Sequence, residues 1–205
     1  MLQKSAFLLL ALLIIVQLFS CVKAQQTTIS PGDNFPEVWI KVPASQADRQ
    51  YLQLPAAEKF TPSEIKADIL LIELLNVHCP HCQLQTPSYN ALFELIESNP
   101  QTKGKIKILG FAIGNNEKEV TNFRKNHQVG FPILADPSFT LWHATGAHAT
   151  PFSIYVRQNK ADRQGIVTGV HLGLNTKYQQ LYQTLIGMAA ADPTELAAKA
   201  RTISQ

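Results

Sequence analysis

The chain has 205 residues, 45% of them hydrophobic, which is enough for one domain with a sizeable core and hardly enough for two. The formal charge is +3, but Lys4 and Lys23 fall in the first 24 residues, and beyond them 16 basic side chains stand against 15 acidic ones. So even a balance, with no basic cluster, argues against an electrostatic nucleic-acid interface. Three cysteines are also too few for a disulfide scaffold.

The chain opens on a lysine-bearing start and then runs uncharged from Ser5 to Val22. This is the pattern of an export signal. Val22-Lys23-Ala24 offers a peptidase site, so residues 1–24 are read as a signal peptide and 25–205 as one domain. A lipoprotein box at "LFSC", with Cys21 lipidated, ranks second because Phe19 is bulky. An uncleaved anchor ranks third, because the stretch is only marginally long enough to span a membrane.

In the mature part, "FPEVWIKV" and "RQYLQL" alternate apolar and polar residues and predict two short strands. "ADILLIELLNV" is the most apolar run and predicts a central strand covered on both faces. "QLQTPSYNALFELIESNP" carries Leu84, Ala91, Leu92, Leu95 and Ile96 at helical spacing and ends at Asn99-Pro100. "KIKILGFAIG" predicts a strand, and "NEKEVTNFRKNHQ" a helix with Val120, Phe123 and His127 on one face. "FPILAD" is a short extended piece, and "PSFTLWHATG" a short helix closed by Gly146, with Trp142 in the core. "PFSIYVRQ" and "QGIVTGVHLG", separated by "NKADR", predict an antiparallel hairpin. A C-terminal helix packs through Leu181, Leu185 and Met188, and "PTELAAKA" extends it past Pro193. The fold class is therefore α/β: a central mixed sheet flanked by helices, with an N-terminal strand extension.

"NVHCPHCQLQTP" holds Cys79 and Cys82, with His78 and His81 beside them. Covalent haem attachment needs His directly after the second cysteine, and Gln83 stands there. Structural zinc wants four converging ligands, and no second CxxC exists. Copper(I), which two thiolates can hold, stays open. A disulfide across two intervening residues closes a tiny loop and stabilises little. At the start of a helix, however, free amide N–H groups favour a thiolate, which suits reversible exchange. His81 adds to this if it is protonated or donates a hydrogen bond.

Together these residues resemble the thioredoxin superfamily, and most of all its exported TlpA/ResA-type thiol–disulfide oxidoreductases. The resemblance is carried by Cys79-Pro80-His81-Cys82 after an apolar strand, by Pro87 in the following helix, by Thr150-Pro151 before "FSIYV" and by "PGDNFP" at residues 31–36. It implies a thioredoxin-like fold and electron exchange with cysteines of other proteins. Cys79 is then the nucleophile and Cys82 the resolving thiol. Glu73, six residues before Cys79, assists proton transfer, while Thr150 and a cis Pro151 guide the substrate. No dissociable cofactor is implied. The expected partners are cysteine-containing proteins and a redox partner that recharges the pair, with the chain a monomer in the periplasm or cell envelope. Pro80-His81 resembles the oxidising DsbA-type pair, but Lys103 to Pro151 has no room for that group's helical insertion. A peroxiredoxin-like peroxidase is one alternative, although Asn76 to His78 do not supply its Pro-x-x-x-Thr pattern. A copper chaperone of the Sco type is the other. His78 has no role in this reading.

Overall fold

The computed structural model describes residues 27–159, 164–192 and 195. The segment read as a signal peptide, with Cys21, and most of the helix expected beyond Pro193 lie outside these residues. In chain order the elements are β1 (Ile40–Lys41), α1 (Gln46–Leu52), β2 (Lys59–Phe60), β3 (Ile69–Leu75), α2 (Pro80–Ser98), β4 (Ile106–Ile113), α3 (Glu117–Asn126), β5 (Ile133–Asp136), α4 (Thr140–Thr145), β6 (Phe152–Gln158), β7 (Gly165–Leu172) and α5 (Tyr178–Ala190).

Five strands form one sheet in the order β5-β4-β3-β6-β7. β3 runs parallel to β4 and antiparallel to β6, β4 is parallel to β5, and β6 and β7 form the expected antiparallel pair. The apolar run places β3 at the centre, where all seven of its residues are buried. Side chains alternate across a strand. Ile69, Leu71 and Leu75 therefore face Tyr89, Leu92 and Ile96 of α2 and Leu181 and Leu185 of α5. Leu70, Ile72 and Leu74 face the other core, with Phe35, Leu52, Phe60 and Leu141. Glu73 falls on the α2 side by the same alternation. Trp142 is half-buried against the second core rather than enclosed in it. His127 caps α3, with its ring 4.5 Å from that of Phe123.

The N-terminal extension differs from expectation. β1 pairs with β2, and the stretch from Arg49 to Leu54 is not a strand. Most of it lies in α1, where the Ser45 hydroxyl accepts the Asp48 N–H at 3.2 Å and caps the helix. Asp48 and Leu52, four residues apart, share the buried face. The alternation in "RQYLQL" was therefore one turn of a helical pattern too short to tell from a strand. Asp48 takes two hydrogen bonds from Arg124 of α3, at 2.6 and 3.0 Å. β5 begins opposite Gly110, beyond the first residues of β4. There the Tyr51 hydroxyl accepts the Ile108 N–H at 2.8 Å.

The "PGDNFP" segment lies along the outer edge of β7. Gly32 N–H donates to the Val167 carbonyl at 2.8 Å, Val167 N–H to Asp33 at 2.9 Å and Phe35 N–H to Gly165 at 2.7 Å. Gly32 has φ of 97°, a conformation open to glycine, which turns the segment onto that edge.

If α1 is a helix seated on the second core, Leu52→Ala should cost about 2–5 kcal/mol in urea unfolding. The exposed neighbour Gln50→Ala should stay within about 0.5 kcal/mol. Equal effects at the two positions would contradict the placement.

Candidate active site

The loop between β3 and α2 is pinned to the end of β4 by asparagines. Asn76 Nδ2 donates to the Ile113 carbonyl at 2.9 Å, and Asn115 Oδ1 accepts the Val77 N–H at 3.0 Å. Asn76 Oδ1 also accepts the His78 N–H. Cys79 is the N-cap residue of α2, followed by Pro80 at a position where a missing N–H costs no helical bond. Pro87 sits inside α2, where it removes the hydrogen bond that the Gln83 carbonyl would accept. Thr86 Oγ1 meanwhile donates to the Cys82 carbonyl one turn earlier, at 2.9 Å. His78, without a role in the sequence, bonds Glu119 of α3 through Nε2 at 3.0 Å. Glu119 also accepts the Asn116 N–H in a capping box.

The two cysteines are free thiols in unlike settings. Cys79 is half-exposed, and its Sγ donates to the Thr150 carbonyl at 3.5 Å. Burial alone would raise its pKa. Hydrogen bonds from the Cys82 amide, the Thr150 side chain, the Cys82 thiol and the His81 amide outweigh that and hold it below the usual thiol value. At His81 it is the backbone, not the exposed ring, that reaches the sulfur. Cys82 is buried, and burial pushes its thiol up to about 12 despite hydrogen bonds from Asn76 and Thr150. Thr150 thus touches both sulfurs. The Thr150–Pro151 bond is cis. Gly173 N–H donates to the Pro151 carbonyl at 2.9 Å, which ties the end of β7 to the proline.

Glu73 is 3% exposed, enclosed within β3. Its Oε1 accepts from Gln85 Nε2 at 2.6 Å, and its Oε2 from Ser153 Oγ at 2.7 Å. Tyr89 and Ser153 share a hydrogen bond of 2.5 Å. Because Ser153 has spent its single proton on Glu73, Tyr89 is the donor. Burial raises the Glu73 pKa from the ordinary carboxylate range to about 8, with Ser153, Tyr89 and Gln85 pulling the other way. Cys82, Glu73, Gln85 and Tyr89 line a common void of about 10 Å³, which is room for about one water.

The structure therefore gathers Cys79, Pro80, His81, Cys82, Thr150 and Pro151 beyond the carboxyl end of β3, with Glu73 inside the strand and lining the same void as Cys82. Three residues that the sequence reading did not single out, Gln85, Tyr89 and Ser153, complete the buried cluster. One signal for two of them was available: Cys82, Gln85, Thr86 and Tyr89 stand at i, i+3, i+4 and i+7, one helix face above β3. Among the described residues no group of three His, Cys, Asp or Glu side chains converges to hold a metal ion. No helix among them is long and apolar enough to cross a membrane.

Solved structures share this thioredoxin-like fold at low sequence identity. A secreted thiol-disulfide isomerase from Corynebacterium glutamicum superposes with a TM-score of 0.57 at 13% identity, over 83% of this chain and 95% of that one. A thiol:disulfide interchange protein of the thioredoxin family from Chlorobium tepidum gives 0.55 at 15%, over 80% and 100%. StoA from Bacillus subtilis gives 0.50 at 18%, over 65% and 92%. No curated protein matches the sequence. The sequence profile of the AhpC/TSA family matches residues 38–169, a span that holds both cysteines, Glu73 and the Thr150–Pro151 bond. The chain belongs to the AhpC/TSA family.

Proposed function

We propose that the chain is an exported thiol–disulfide oxidoreductase whose Cys79–Cys82 pair exchanges electrons with cysteines of other proteins. The observation that carries this reading is the asymmetry of the pair: one accessible thiol with a lowered pKa, and one buried thiol raised to about 12 above a buried carboxyl. In the reductive direction the Cys79 thiolate attacks a substrate disulfide. A mixed disulfide forms, and one substrate sulfur leaves as a thiolate. Glu73 takes the Cys82 proton, and Cys82 attacks the Cys79 sulfur. The Cys79–Cys82 disulfide forms and the second substrate thiolate is released, so two electrons pass to the substrate. The oxidative direction is the reverse. Thr150 and Pro151 border the sulfur where a substrate chain would lie. A recharging partner is required in either direction. Export is supported by the leader pattern of residues 1–24 and by the secreted neighbour from Corynebacterium glutamicum.

A second reading, peroxidase, has the family assignment in its favour. Cys79 thiolate would attack hydrogen peroxide, giving a sulfenic acid and hydroxide. Cys82 would then condense with the sulfenic acid, releasing water. Peroxide consumption in the presence of dithiothreitol separates the two readings. The reduction potential of the pair against glutathione gives the direction of exchange: near −120 mV for an oxidant, below about −220 mV for a reductant.

Cys79→Ser should lower insulin-disulfide reduction to background, whereas Cys82→Ser should accumulate a mixed disulfide with substrate, visible by mass spectrometry. Full activity in Cys79→Ser would exclude the mechanism.

Thr150→Val removes a hydrogen bond that favours the thiolate at both sulfurs. The ultraviolet titration of Cys79 should move to higher pH. An unmoved curve would mean that the helix amides alone set the thiolate.

Glu73 holds its proton up to about pH 8 in the folded chain, while an unfolded chain loses it near 4.5. The folded state binds more protons in that window, so stability falls as pH rises through it. Across the window the wild type should lose roughly 3–5 kcal/mol relative to Glu73→Gln, measured by urea unfolding. Parallel stability curves would place the Glu73 titration elsewhere.

A further inference from the structure

Gln85 uses both ends of its side-chain amide, and the two ends belong to different parts of the molecule. Nε2 donates to Glu73 Oε1 at 2.6 Å, and Oε1 accepts the Asn175 N–H at 2.7 Å. The amide cannot be turned over without setting an NH₂ group against the Asn175 N–H and an oxygen against the carboxylate. Gln85 is 2% exposed, so neither end has water as a substitute. Asn175 follows β7 in the same short loop as Gly173, whose N–H donates to the Pro151 carbonyl. Thr150 in turn accepts from Cys79 Sγ. A continuous series of polar contacts thus runs from the accessible sulfur, through the cis-proline and the Gly173–Asn175 loop, to Gln85 and the buried acid. Leu172 and Leu174, on either side of Gly173, are 48% and 41% exposed, so the loop faces outward where a chain lying beside Pro151 would meet it.

We propose that Gln85 is a positioning residue that couples the Glu73 carboxyl to the Gly173–Asn175 loop, so that proton exchange between Glu73 and Cys82 responds to a substrate segment docked beside Pro151. The proposal rests on the thiol–disulfide reading of the pair. A substrate chain that shifts the loop shifts the Asn175 amide, and with it the amide group that donates to Glu73. Docking is then felt at the acid before Cys82 is called on to resolve the mixed disulfide. A side chain present only to fill space between α2 and the sheet would need neither polar end.

The titratable groups facing Glu73 are Cys82 and Tyr89 from α2 and Tyr155 from β6. From β7, His171 occupies the register position beside Ser153. The α3 and β5 sides present Phe123, Phe131 and Ile133, which carry no charge.

The test mixes the reduced full chain with Ellman's reagent in a stopped-flow instrument and follows, against pH, the second release of 2-nitro-5-thiobenzoate, which marks attack of Cys82 on the mixed disulfide at Cys79. The same measurement is made with a cysteine peptide as the leaving group, monitored by fluorescence. In the wild type the resolving step should rise with pH around the Glu73 midpoint, and the midpoint should differ between the small and the peptide leaving group. Gln85→Leu should raise the midpoint by about one pH unit, as loss of one hydrogen bond to a charged group implies, and should abolish the difference between leaving groups. Gln85→Asn, polar but too short to span both partners, should behave alike and carries the test if the leucine variant does not fold. Glu73→Gln, as control, should remove the midpoint. A uniform slowing with an unmoved midpoint, or a leaving-group difference that survives in the variants, would make Gln85 a packing residue and overturn the proposal. If wild type and Cys82→Ser release the reagent alike, the redox reading itself fails, which is a separate result.

Discussion

A carboxyl group in the middle of a central strand is the constraint around which the rest of the site is arranged. Glu73 sits on β3 with strands on both sides and α2 above it. An unpartnered ionisable group there would cost several kcal/mol. Three neighbours answer that cost: Gln85 and Tyr89 on the helix, and Ser153 opposite on β6. The hydroxyl pair suits a group that changes charge. With the carboxylate present, Tyr89 donates to Ser153 and Ser153 to Glu73. With the carboxyl protonated, the Ser153 and Tyr89 hydroxyls can turn and accept instead, because a hydroxyl is both donor and acceptor.

The same constraint orders the pair of thiols. The helix that supplies Gln85 and Tyr89 to Glu73 also carries Cys82 on that face, so satisfying the acid fixes the depth of the buried sulfur. Cys79, at the N-cap, stays at the surface among free amides. The difference between the two thiols thus follows from their places on one helix: the first turn is rich in unpaired N–H groups, and the next is already enclosed. The His78–Glu119 contact and the asparagine bonds hold the preceding loop in line with this arrangement.

Much of this was legible in the sequence where a signal was long or chemically distinct. The eleven-residue run around Glu73 had the length and place of a covered strand. The cysteine spacing, the proline after Thr150 and the order of elements all pointed to one architecture. Arg49–Leu54 was misread because six residues cannot separate period 2 from period 3.6 when Tyr51 and Leu52 are both half or fully covered. The partners of Glu73 were hidden for another reason. Gln85 and Tyr89 lie on the helix face that apolar spacing would assign to packing, and Ser153 is 80 residues away in sequence, brought opposite only by the β3–β6 register. His78 had no role in the sequence. Its partner, 41 residues downstream, is a helix-capping glutamate.

The segment around Gly32–Phe35 has a consequence for life among unfolded chains. A sheet that ends in an exposed strand offers its spare N–H and C=O groups to any extended polypeptide nearby. An exchanger of the proposed kind meets such polypeptides as its working partners. Here the first part of the outer edge of β7, from Gly165 to Val167, is already occupied by the chain's own arm, and β5 at the far edge is only four residues long. Over those residues an exchanger of the proposed kind would hold a client by one sulfur without offering a ledge on which that client could add itself as a further strand.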